Sequence, residues 1–139
     1  MREPRGAGHK LENELLVGGV VFSEWTTLMS YEAHSCFVAG LDISTIIICA
    51  SACESYLRSE AEDFDSPLYH LINVSDIPLD LRERLHGLRK ARNEWVHSLN
   101  AEKNQEPKCY STVYTPVLEK QAQLAYETML QLLLVDQSI

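Results

Sequence analysis

The chain has 139 residues, 45% of them hydrophobic, with a formal net charge of −8. That length suits one domain with a core of its own, and the acidic balance argues against wholesale coating by nucleic acid. The longest apolar runs, Ile46 to Ala50 and Leu132 to Val135, fall far short of the roughly twenty residues a membrane helix needs. No apolar run follows Arg2, Arg5 and Lys10, so no secretory signal is expected.

Residues 1–19, with Pro4, Gly6, Gly8 and the Gly18-Gly19 pair, are expected as a flexible tail or a frayed helix, and 20–139 as a helical domain. From about Phe22 the spacing of Trp25, Leu28, Met29, Ala33, Cys36 and Phe37 predicts a helix that Gly40 ends. Asp42 is the expected N-cap of a second helix running to about Glu62. Its stripe is Ile43, Ile47, Ala50, Leu57 and Ala61, with Glu54 in the middle. The β-branched Ile46-Ile47-Ile48 would also suit a strand, but about twenty residues without a breaker favour helix.

Ser66-Pro67 signals a short helix through about Ile72. Asp76 and Pro78 start a third long helix, with Leu81, Leu85, Leu88, Trp95 and Leu99 on one stripe and Arg92 among them. Residues 100–114 are polar and irregular. Thr115-Pro116 then opens a last helix through about Val135. Its end is apolar nearly all round, so either the bundle core or a subunit interface must cover it. No segment alternates with period two. The fold class expected is all-α: four long antiparallel helices, up and down, plus a short one.

The four cysteines, Cys36, Cys49, Cys53 and Cys109, form no CxxC motif, and no Cys/His pair has zinc-like spacing. They are expected as reduced cysteines in a cytoplasmic protein, with no metal or cofactor. Five of the twelve Lys/Arg residues fall between Arg82 and Arg92, while acids gather at Glu60, Glu62, Asp63 and Asp65. A basic helix on an acidic body can grip a short polyanion. On charge alone, an ordinary solvated face is the preferred reading.

The hexapeptide Arg92-Asn93-Glu94-Trp95-Val96-His97 sharpens the picture. Arginine can clamp a phosphate through two parallel hydrogen bonds. Histidine exchanges protons near neutral pH. At about 100° per residue, Asn93 and His97 share a helix face, while Arg92 and His97 diverge by about 140°. Arg92 therefore falls on the leucine stripe, where a lone charge is costly. Glu54, a charge of opposite sign on an apolar stripe of another helix, is its expected partner. Opposite the leucines, Arg82, His86, Lys90, Asn93 and His97 lie within about an 80° arc. Lys90, His86 and the adjacent Arg89 are the candidate phosphate-binding residues.

An Arg followed by four residues and a His at the end of a bundle helix, with Asn directly after the Arg, resembles the HEPN family. Glu54 in Ala52-Cys53-Glu54-Ser55-Tyr56-Leu57, on the inner face of the preceding long helix, adds to the likeness, which spans about residues 20–136. The resemblance implies a homodimer in which two copies of the motif face one cleft. It also implies metal-independent cleavage of RNA by 2′-hydroxyl attack, leaving a 2′,3′-cyclic phosphate and a 5′-hydroxyl. By that likeness His97 handles the proton, Arg92 stabilises the phosphorane charge, and Asn93 positions the phosphate or the His97 ring. A toxin or defence effector, with an antitoxin or regulatory protein as partner, is the implied context. Toxin-type members often carry Tyr two residues after the His; Leu99 stands there in this chain. Other members bind nucleotides or assemble complexes without catalysis, which is the alternative reading.

Overall fold

Helix alone organises the residues that the computed structural model describes, 23–97 and 115–135. Five helices run in order: α1 (Glu24–Val38), α2 (Asp42–Ala61), α3 (Leu68–Val74), α4 (Leu79–Val96) and α5 (Thr115–Leu133). Among the described residues there is no strand, and no helix is long and apolar enough to cross a membrane. The expectations for the tail, for Leu99, for the 100–114 loop and for Cys109 lie outside the described residues.

α2 is the hub and packs against each of the other four helices. Thr45, Ile46, Cys49, Ala50, Ala52, Cys53, Tyr56 and Leu57 are all buried along it. That arc is wider than the one stripe expected, because neighbours cover α2 on several sides. Ile43 and Ile47 are only half-buried and Ala61 is exposed, so those three do not form the core face. Asp42 is not the N-cap either. Leu41 holds that position without a side-chain bond, and Asp42 is the first helical residue, where its carboxylate still meets the positive end of the helix.

The inner face of α1 departs furthest from expectation. Its buried residues are Thr26, Ser30 and Ala33, whereas Trp25 is 61% and Leu28 45% exposed. Small side chains let α1 approach the hub closely, and their hydroxyls are satisfied locally. Thr26 Oγ1 lies 2.8 Å from Ser55 Oγ of α2, and Ser30 Oγ donates to the Thr27 carbonyl at 2.7 Å. Ser23 caps the helix by accepting from the Thr26 amide at 3.1 Å.

Both turns flanking α2 use a left-handed residue. Gly40 (φ 75°) ends α1, with the Leu41 amide returning to the Cys36 carbonyl at 2.9 Å. Glu62 (φ 52°) ends α2 in the same way, with the Asp63 amide on the Arg58 carbonyl at 3.1 Å. Asp63 then accepts from the amides of Asp65 and Ser66, and the Ser66 bonds above all hold its carboxyl below the usual range. Pro67 precedes α3, and Pro78 precedes α4. At the end of α5, Met129, Leu132 and Leu133 are fully buried, and Leu130, Leu134 and Val135 pack partly against the same core. The bundle itself thus supplies most of the cover that this apolar end requires.

Cys49 and Cys53 sit in the core as free thiols. Burial pushes the Cys49 thiol up to about 12 and Cys53 well above its ordinary 9.0. Neither is expected to react with a thiol reagent at pH 8 until the chain unfolds. Between about pH 9 and 12 the folded state keeps protons that the unfolded chain gives up, so stability falls as pH rises through that window. Denaturant melts against pH, compared with a Cys49→Ala/Cys53→Ala variant that lacks this slope, check the sign.

Candidate functional site

A carboxylate of α2 meets a guanidinium of α4 at the centre of the candidate site. Glu54 Oε2 lies 3.5 Å from Arg92 Nη1, with side-chain exposures of 24% and 22%. The pair joins two helices across the bundle. It answers the difficulty posed by Arg92 on a leucine stripe: the half-buried side chain ends on an opposite charge. At 3.5 Å this is an ion pair rather than a short charge-assisted hydrogen bond.

Arg92 Nη2 also points at Asn93 Oδ1, 3.5 Å away. The long guanidinium thus reaches round the helix to a neighbour that the helical angle places on another face. His97 is exposed and is the C-cap residue of α4. Its amide donates to the Asn93 carbonyl at 3.0 Å, with φ −96° and ψ 4°. The imidazole therefore stands where the chain leaves the helix, not along its flank. Trp95, half-buried, steadies this last turn by donating from Nε1 to Gln121 Oε1 of α5 at 2.9 Å.

The polar arc divides in two. Its first half is engaged with α3 and the loop after it. Arg82 Nη2 donates to the Ser75 carbonyl at 3.0 Å, and His86 Nε2 lies 2.8 Å from Asn73 Oδ1. Arg89 Nε points at His86 Nδ1, 3.4 Å away, and its guanidinium carbon sits 5.1 Å from the centre of the Tyr69 ring. The second half, Lys90, Asn93 and His97, reaches solvent to varying degrees, with Lys90 and His97 exposed. The arc is thus not one polyanion-facing stripe, and Arg82 serves the fold.

Because Arg89 Nε can only donate to Nδ1, the neutral His86 ring is assigned its proton on Nε2, facing Asn73 Oδ1. Burial, then the nearby Arg89, Lys90 and Arg82 charges, lower its pKa below 6.5. The neutral ring supports the fold above pH 6.5, and that support is lost as pH falls through the lowered folded value. An NMR titration is expected to place the His86 midpoint below that of a free histidine, and His86→Gln to reduce the acid sensitivity of the melting temperature.

Sequence reasoning did not assign Arg58, Tyr69 or Asn73 to the site. Arg58 sits one turn after Glu54 on α2, with Nη2 3.6 Å from Glu54 Oε1. The Glu54/Arg58 spacing of four was a visible signal, but it reads as an ordinary surface pair. Among the described residues no group of three His, Cys, Asp or Glu side chains is placed to hold a metal ion. A depression of about 350 Å³ lined by Tyr56, Leu71, Ile77, Glu60 and Asp76 shares no residue with the arginine site. Comparison with protein-family models, with curated proteins and with solved structures finds no match in any of the three.

Proposed function

We propose that this domain is a metal-independent endoribonuclease of the HEPN type, acting as a dimer in the context of a toxin or defence effector. The observation that carries the reading is Arg92, held by Glu54 of α2 in the last turns of the helix that His97 caps. A fixed cation and a free proton carrier on one helix end are what phosphodiester cleavage by a neighbouring hydroxyl needs.

In this chemistry a histidine takes the proton of the RNA 2′-hydroxyl. The oxygen attacks the adjacent phosphorus, and the bond to the 5′-oxygen breaks. That leaving oxygen receives a proton, giving a 2′,3′-cyclic phosphate and a 5′-hydroxyl. Arg92 meets the charge that builds on the non-bridging oxygens. With its Oδ1 turned towards Arg92, Asn93 keeps its amide NH₂ as a donor for phosphate or for the His97 ring. One chain offers a single histidine at this helix end, so acid and base come together when two copies share a cleft. Lys90 and Arg89 stand alongside to hold the flanking backbone.

Incubation of a mixed-sequence RNA with the protein in excess EDTA, followed by end-group analysis, tests the reading. Cyclic phosphate ends are expected. Folded protein that binds RNA or nucleotide and never cuts it would point to a binding or assembly module instead.

A further inference from the structure

Glu54 serves two guanidiniums, not one. Arg58 Nη2 approaches one carboxylate oxygen at 3.6 Å, and Arg92 Nη1 approaches the other at 3.5 Å. One negative charge therefore faces two permanent positive charges, and the cluster keeps a net charge of one positive unit. The three side chains are between 22% and 33% exposed, so the cluster is open to a solute yet partly withdrawn from water. Attraction for an anion is stronger there than on an open surface.

The guanidinium donors are also under-used. Both contacts to Glu54 are longer than a charge-assisted hydrogen bond. Arg92 adds only the 3.5 Å approach to Asn93, and Arg58 has no other side-chain partner among the described residues. Among the described residues no acceptor meets the buried Arg58 Nε, an unusual state for a buried N–H. An anion that draws the guanidinium outwards relieves it.

We propose that Arg58 and Arg92, braced by Glu54, form a paired-guanidinium site for one phosphodiester group of a single-stranded nucleic acid. Two forks anchored on one carboxylate can share the oxygens of a tetrahedral phosphate. A phosphodiester carries one negative charge and brings the cluster to neutrality. Glu54 braces both guanidiniums and leaves that surplus at one. The ligand class rests on the nuclease reading, but binding here does not require cleavage.

The test uses a fluorescein-labelled oligodeoxythymidylate, which lacks the 2′-hydroxyl and cannot be cut by that route. Anisotropy is read as a function of salt. Arg58→Gln is expected to weaken binding about tenfold and to flatten the log–log salt slope by about 0.7, one phosphate contact. Arg92→Gln should do the same. Arg84→Gln, which alters a guanidinium lying on Gln131, should leave both unchanged. Parity of Arg58→Gln with wild type, or an equal loss in Arg84→Gln, overturns the site. So does preference for a phosphoserine peptide over the oligonucleotide. If Arg58→Gln does not fold, Arg58→Lys decides. It keeps the charge and loses the fork, so a several-fold weakening supports the site and parity overturns it. Arg58-dependent binding without RNA cleavage would remove the nuclease and leave the site standing; cleavage with Arg58-independent binding would do the reverse.

Discussion

Replacing His97 by alanine is expected to lower RNA cleavage in EDTA by about 10²- to 10⁴-fold, the span that a positioned general acid or base contributes. The melting temperature should hardly move. His97 is exposed and bonds the helix through its backbone amide, which alanine retains, and exposed positions of this kind change stability by about 0.5 kcal/mol or less. A large loss of rate without a loss of stability separates a proton carrier from a structural residue. An equal rate in the variant would remove His97 from the chemistry and the nuclease reading with it.

Mixing inactive variants asks where the site is assembled. Arg92→Ala alone and His97→Ala alone each remove one function from both halves of a homodimer. A mixed dimer keeps one arginine and one histidine, in different subunits. If two motifs face one cleft, co-refolding the variants should raise cleavage above that of either variant alone, though below wild type because one of the two histidines is missing. If each subunit holds a complete site, the mixture should stay as inactive as its parts.

The helices were legible because their signals are local. Gly40 ends α1, the prolines before α3 and α4 mark their starts, and leucine spacing gives the buried face of α4. Glu54 and Arg92 were legible as a pair because two opposite charges stood on apolar stripes, a costly arrangement unless they meet. The inner face of α1 was not legible. Counting large apolar side chains puts Trp25 and Leu28 inward, but the distance of closest approach favoured Thr26, Ser30 and Ala33. Asn73 escaped notice because its bond to His86 crosses between helices, and no local period reports that. Arg58 escaped because Glu54 and Arg58, seen alone, make a commonplace intrahelical pair. Only the arrival of Arg92 from α4 turns that pair into a cluster with spare charge.

Leu85→Ala should give the opposite result to His97→Ala. Leu85 is 1% exposed, between fully buried Leu81 and nearly buried Leu88 on the face of α4 turned to the core. Truncation removes apolar contact and leaves a cavity, at a cost of about 2–5 kcal/mol. Set against a total of about 5–15 kcal/mol for a domain, that should lower the melting temperature by roughly 10–20 °C. Two helical turns separate Leu85 from Arg92, and the last turn of α4 has its own ties: Arg92 to Glu54 and Trp95 to Gln121. Cleavage per folded molecule, measured well below the midpoint, should therefore stay within about threefold of wild type. A collapse of cleavage with little change in melting would mean that the leucine stripe, and not these two cross-helix ties, fixes the position of the arginine.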